Sequence, residues 1–251
     1  MRLIVLTLAI LASFGASMGY DGPDIHIKKV AFGISGTGTT TRYWDCCKPS
    51  CGWSENLRNK LDTPVASCSA DGDTKIDKEI RSSCVGGTSY MCSDQQPVVV
   101  NDTFALGFAA GSFSGGVDNN YCCSCFSITF QGGLSGKRMV VQVTNTGGDL
   151  GSNQFDLAIP GGGVGIFTDG CSSQWGAPGS GWGDQYGGVR SEADCAQLPA
   201  VYQDGCKFRF EFMENVSNPP ITFEQVECPS ELTSTTGCQG LSNVINSLVI
   251  E

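Results

Sequence analysis

Thr40-Thr-Arg-Tyr-Trp-Asp45-Cys-Cys-Lys-Pro-Ser-Cys51 packs three cysteines, two aromatics and one carboxylate into a single short stretch. Bridges from the adjacent cysteines would hold the backbone of Asp45 rigid, while its aromatic neighbours exclude part of the surrounding water. The redox compartment decides what those cysteines do. The chain of 251 residues carries 14 of them, an even number, and in an oxidising compartment they pair into disulfides that each add ~2–4 kcal/mol. Arg2, the apolar run Leu3 to Leu11 and the small residues of Ser17-Met-Gly19 read as a secretory signal over residues 1–19. The run is short for a bilayer span, and no later stretch approaches ~20 continuous apolar residues. A secreted, extracellular chain with no membrane partner is expected.

Composition narrows the chemistry. With 40% apolar residues and 9% aromatics the chain can bury a core. Lys and Arg total 15 against 25 Asp and Glu, and the formal net charge of -10 repels polyphosphate, so nucleic acid is not an expected partner. The single histidine, His26, reads as an ordinary polar strand residue. That count argues against a Ser-His-Asp triad, a Cys-His pair and multi-histidine zinc sites together. Asn101-Asp-Thr103 and Asn215-Val-Ser217 are N-glycosylation sequons.

Strand signals dominate. Cys125 to Phe130 and Arg138 to Thr144 are rich in β-branched and aromatic residues, and Ile221 to Val226 alternates. Phe208, Phe210 and Phe212 alternate with Lys207, Arg209 and Glu211, the period of a half-buried strand. Helices are expected to be few: Ser54 capping a turn through Leu61, Ser191 capping Glu192 to Leu198, and Leu241, Val244, Ile245 and Leu248 at helical spacing. Residues 20–40, with Gly33 to Thr40 as a flexible connector, read as a short N-terminal extension, and 41–251 as a single catalytic domain. The 34 glycines cluster in loops, which suits a binding groove on a strand scaffold.

With histidine scarce and thiols oxidised, acid and base work falls to carboxylates. Asp156 follows Phe155 and precedes Leu157-Ala-Ile159, an apolar frame that raises a carboxyl pKa and favours a protonated acid. One protonated and one ionised carboxyl is the arrangement glycosidases use. The alternative is that Asp45 and Asp156 cap turns or pair with Arg42 or Arg138. Asp149, after Gly147-Gly148, is a turn residue or a mobile-loop carboxylate. Glu211, Glu224 and Glu227 read as solvent-facing strand positions, and Asp71, Asp73 and Asp77 as a solvated acidic turn without the glycine and glutamate of a calcium loop. No metal site is expected. Tyr43, Trp44, Trp53, Trp175 and Trp182 suit stacking on sugar rings as well as core packing.

The opening segment resembles the signature of glycoside hydrolase family 45, the small secreted endoglucanases. Val100 to Ala110, Thr146-Gly-Gly-Asp-Leu-Gly-Ser-Asn-Gln-Phe-Asp156 and Ile159-Pro-Gly-Gly-Gly-Val-Gly-Ile-Phe167 agree in order and spacing, so the likeness spans roughly residues 40 to 240. The resemblance implies a mainly β fold, a six-stranded double-psi β-barrel with disulfide-linked loops, and inverting hydrolysis of β-1,4-glucan. It implies Asp45 as general base, Asp156 as general acid, Asp149 as an assisting carboxylate, and Tyr43 and Trp53 as cleft aromatics. No cofactor is implied, and a monomer is expected. It also implies the pairs Cys46–Cys171, Cys47–Cys84, Cys51–Cys122, Cys68–Cys92, Cys123–Cys238, Cys125–Cys228 and Cys195–Cys206, which spacing alone does not select.

Two departures stand out: Gln154 occupies a position where the family often has histidine, and Thr168 is a one-residue insertion. The rivals are an expansin-like, non-hydrolytic wall-loosening protein, which would lack a counterpart of Asp45, and a barwin-type carbohydrate-binding protein. A third reading keeps the hydrolase and changes the glucan to xyloglucan, glucomannan or mixed-linkage chains.

Overall fold

A computed structural model of the chain describes residues 25–58 and 62–239. The expected signal, Leu61 and the Leu241 to Leu248 helix lie outside them. The strands are β1 (Ser35–Tyr43), β2 (Ser67–Cys68), β3 (Tyr90–Met91), β4 (Val98–Asn101), β5 (Phe104–Ser112), β6 (Cys125–Phe130), β7 (Arg138–Asn145), β8 (Gln154–Ala158) and β9 (Pro220–Val226). The helices are α1 (Asp169–Trp175), α2 (Ala200–Glu211) and α3 (Ser230–Thr236).

Six strands close on themselves in the order β5, β7, β6, β9, β1, β8, with β8 returning to β5. Two of these pairs, β1 with β8 and β5 with β7, are parallel and the rest antiparallel. This is the closed barrel of the expected double-psi class. Closure removes the free edges that an open sheet would present. β4 extends the sheet outside the barrel as a hairpin with β5, and β2 with β3 forms a small separate ladder. Every residue of β5 is buried, as a strand covered on both faces must be. Phe126, Phe155 and Phe223 meet edge-on inside, with centroids 5.4 and 5.3 Å apart for the two Phe155 pairs. Burying each such ring stabilises the fold by roughly 1.5–3 kcal/mol.

Seven disulfides tie the loops to this barrel, and their partners are the pairs that the resemblance implies. The strands expected at Cys125 to Phe130, Arg138 to Thr144 and Ile221 to Val226 are β6, β7 and β9. Ser191 opens a 3-10 helix over Glu192–Gln197, its N–H and hydroxyl both donating to Asp194 at 2.9 Å.

Two expectations are corrected. Residues 35–40, read as a flexible connector, are most of β1. The glycines there serve close approach: a Cβ on Gly36 would sit 3.3 Å from the Phe223 ring, and one on Gly38 would overlap the Asn153 carbonyl. Residues 207–212, read as a strand, lie on α2 and its C-cap. Phe208 and Phe212 are one helical turn apart and stack with centroids 5.0 Å apart, while Cys206 in the same helix is bridged to Cys195. Glu211 therefore ends a helix instead of facing solvent from a strand. Glu224 is on β9, ion-paired with Lys29, and Glu227 just beyond it pairs with Lys28 at 2.9 Å.

Candidate active site

β8 carries Asp156 between two hydrogen-bonded neighbours, opposite Thr41 on β1 and Ala110 on β5. Phe155 and Leu157 point into the core, which leaves Gln154 and Asp156 on the opposite face. Thr41 donates its hydroxyl to Asp156 Oδ1 at 2.6 Å, and Gln154 Nε2 donates to Thr41 Oγ1 at 2.9 Å. Burial pushes the Asp156 carboxyl up to about 7; Asp149 and Asp45 push the same way, while Thr41 and the Arg42 charge oppose them. Arg42 itself is engaged elsewhere, donating to the Gly187 carbonyl at 3.1 and 3.0 Å.

Asp45 follows the end of β1 by two residues and is 5% exposed. Its Oδ1 accepts the Cys47 N–H at 2.9 Å. Cys46 holds φ at 61°, a left-handed conformation uncommon for a residue with a side chain. The bridges Cys46–Cys171 and Cys47–Cys84 pin that kink and the residue after it, the first to α1. Gly170 of α1 lies against the Asp45 backbone, where a Cβ would overlap the Asp45 carbonyl oxygen. Desolvation raises the Asp45 carboxyl to about 6 against its two backbone hydrogen bonds.

Asp156 lines a cleft of about 370 Å³ with Thr41, Tyr43, Asp149, Gln154 and Tyr186. Asp45 lines a second recess of about 240 Å³ with Lys48, Trp53, Asn145 and Phe167. One hydrogen bond joins the two: Asn145 Nδ2 donates to the Tyr43 hydroxyl at 3.2 Å. Asn145 Oδ1 also accepts the Ser50 N–H at 2.8 Å, so the end of β7 is fastened to the Asp45 segment. Asp45 and Asp156 together hold the Tyr43 phenol well above its usual range, after burial. Asp149 is exposed on the 146–153 loop. The structure thus brings Asp45, Asp149, Asp156 and Tyr43 within electrostatic reach of one another. Trp53 faces the Asp45 side with one face covered, the Lys48 ammonium lying 3.6 Å from its centroid and donating to the Ile80 carbonyl at 3.0 Å.

Thr41, Asn145, Lys48 and the exposed aromatics Tyr186 and Phe167 were not singled out from sequence for this site. Thr41 was within reach, since it shares a strand face with Tyr43, had β1 been read as a strand. Phe167 precedes Thr168, which stands at the N-cap of α1. Asp71 forms the expected solvated turn, accepting the Asp73 and Thr74 N–H groups at 2.9 Å.

Two desolvated carboxyls lining adjoining recesses of a closed β-barrel are a setting suited to acid and base chemistry on a glycosidic bond, the class of the glycoside hydrolases. The chain belongs to glycosyl hydrolase family 45, whose sequence model matches residues 37–239. It is 58% identical over 240 residues to an endoglucanase of Phaedon cochleariae, covering 95% of this chain and 99% of that protein. It is 51% identical over 214 residues to an endoglucanase of Cryptopygus antarcticus, covering 84% and 93%. The crystal structure of the cellulase from that Antarctic springtail superposes with a TM-score of 0.76 at 51% identity, over 82% of this chain and 97% of the other.

Proposed function

We propose that this chain is a secreted endo-β-1,4-glucanase that hydrolyses internal bonds of cellulose with inversion of configuration. The observation that carries the reading is the pair of desolvated carboxyls, Asp45 and Asp156, in adjoining recesses of a family 45 fold. Asp156, protonated up to about pH 7, delivers its proton to the leaving glycosidic oxygen as the C1–O bond breaks. Asp45, ionised above about pH 6, takes a proton from the water that attacks C1 from the opposite face. Asp149 assists from its exposed loop by adding negative charge near the developing oxocarbenium ion. Tyr43, buried with its hydroxyl held by Asn145, lines the cleft, and the free face of Trp53 stacks against a glucose ring. The relatives named endoglucanase support the substrate class, and the seven disulfides support an oxidising, extracellular setting. The catalytic unit begins with β1 at Ser35 and acts as a monomer on β-1,4-glucan, without nucleic acid, membrane or cofactor.

The test is viscosity loss together with reducing-end release on soluble carboxymethyl cellulose, comparing wild type with Asp45→Asn and Asp156→Asn. Fast viscosity loss by wild type, reduced by roughly 10²–10⁴-fold in each folded variant, is expected. A variant with near-wild-type turnover removes that residue from its role. No release by folded wild type on this substrate, with release on xyloglucan or glucomannan, would replace cellulose as the substrate.

A further inference from the structure

We propose that Gln154 is a positioning residue which, acting through Thr41, decides which oxygen of Asp156 carries the transferable proton. The inference rests on the reading of Asp156 as general acid and adds to it a direction. The Gly151 N–H donates to Gln154 Oε1 at 2.7 Å, Gln154 Nε2 donates to Thr41 Oγ1 at 2.9 Å, and the Thr41 hydroxyl donates to Asp156 Oδ1 at 2.6 Å. The order is forced by the chemistry of each group. A backbone N–H only donates, so the amide oxygen of Gln154 must face Gly151. Its NH2 then faces Thr41 and fills an acceptor site there, and the single hydroxyl proton of Thr41 is left for Asp156. Flipping the amide would set NH2 against the Gly151 N–H, two donors face to face.

Asp156 Oδ1 is thereby kept as an acceptor in both protonation states. The acidic proton sits on Oδ2, leaves it for the glycosidic oxygen as the C1–O bond breaks, and the electron pair of that bond stays with the departing oxygen. Among the described residues no other hydrogen bond reaches this carboxylate, so Oδ2 is free to meet substrate. Gly151 belongs to the same loop as Asp149, which links the loop's position to the geometry of the acid. Geometry also sets the sign of the effect. Donation to Oδ1 favours the carboxylate over the acid, with Arg42, and opposes the burial, Asp149 and Asp45 that favour the acid; Tyr43 and Tyr186 are the remaining titratable groups lining the cleft there. Gln154 does not titrate, so the relay holds one direction across the working pH range.

The experiment is the pH dependence of kcat/KM on soluble cello-oligosaccharides for wild type, Thr41→Val, Thr41→Ser, Gln154→Leu and the Thr41→Val/Gln154→Leu double variant, with thermal melting as a check on folding. Thr41→Val is expected to move the basic limb upward by roughly 0.5–1 pH unit, Gln154→Leu by less in the same direction, and Thr41→Ser to keep the wild-type limb. Because Gln154 acts through Thr41, the double variant should shift no further than Thr41→Val alone. An unmoved limb in Thr41→Val, or a Gln154→Leu shift that adds in full in the double variant, overturns the relay. If Thr41→Val does not fold, an unmoved limb in Gln154→Leu overturns it equally. Failure of the underlying reading is separate: Asp156→Asn would then retain turnover whatever the relay variants do.

Discussion

Asp45 and Asp156 lie within electrostatic reach of each other on mounts of opposite kind. Asp156 is set in a ladder, its strand β8 hydrogen-bonded on both sides, and its neighbours Phe155 and Leu157 are anchored in the core. Asp45 lies beyond the last residue of β1, on a left-handed kink held by two disulfides and by the close approach of α1. The ladder position is part of the barrel's cooperative unit and cannot move without it. The loop position is held by a few local constraints, each of which can be removed singly. The two carboxylates proposed to share one reaction therefore differ in what protects their geometry.

Breaking that contrast most severely, Cys46→Ala with Cys171→Ala should cost about 2–5 kcal/mol of stability. It should lower kcat on cellulose by roughly 100-fold, with the barrel's far-UV circular dichroism preserved at low temperature. Equal loss from removing Cys195–Cys206, which joins α2 to the 3-10 helix away from Asp45, would show that the effect is general stiffening. Gly170→Ala sharpens the same point with every cysteine kept. The added methyl must displace the Asp45 carbonyl oxygen or Cys84, so a roughly tenfold loss of kcat is expected, with an overpacking cost of about 1–3 kcal/mol, below that of losing the bridge.

The smallest effects are electrostatic. With Asp45 raised to about 6 and Asp156 to about 7, activity should follow a narrow bell between those values, its acid limb set by Asp45 and its basic limb by Asp156. The sign for stability is the reverse of that for salt-bridged carboxylates. Both pKa values are higher in the fold than in the unfolded chain, so their contribution is present at low pH and is lost as pH rises through about 6 and about 7. Asp45→Asn, which keeps an acceptor for the Cys47 N–H, should thus stabilise the protein at pH 8 by about 1–3 kcal/mol and by almost nothing at about pH 2.5, below the unfolded pKa. Denaturant unfolding at the two pH values measures this.

The same contrast runs through what the sequence made legible. β6, β7 and β9 announce themselves because β-branched and aromatic residues fill them, and the apolar frame of Asp156 is contiguous in the chain. The setting of Asp45 was equally local, a carboxylate between Trp44 and two adjacent cysteines. β1 was hidden because Gly36 and Gly38 carry a flexible composition while serving close packing against Phe223 and Asn153. α2 was hidden because Phe208, Phe210 and Phe212 satisfy a period of two although only Phe208 and Phe212 are buried, one helical turn apart. Thr41 escaped because β1 was not read as a strand, and Asn145 because its role depends on partners distant in the chain, Tyr43 and Ser50. Long-range polar contacts of that kind have no local signal to read.

The central claim is that the two carboxylates act on opposite faces of one glycosidic bond, with water activated by Asp45. Proton NMR of cellohexaose during the first minutes of hydrolysis, before mutarotation, reads the stereochemistry directly. The account predicts that the newly formed reducing ends appear as the α-anomer and only later equilibrate. Initial accumulation of the β-anomer would mean retention through a covalent intermediate and would contradict the assignment of Asp45 as base.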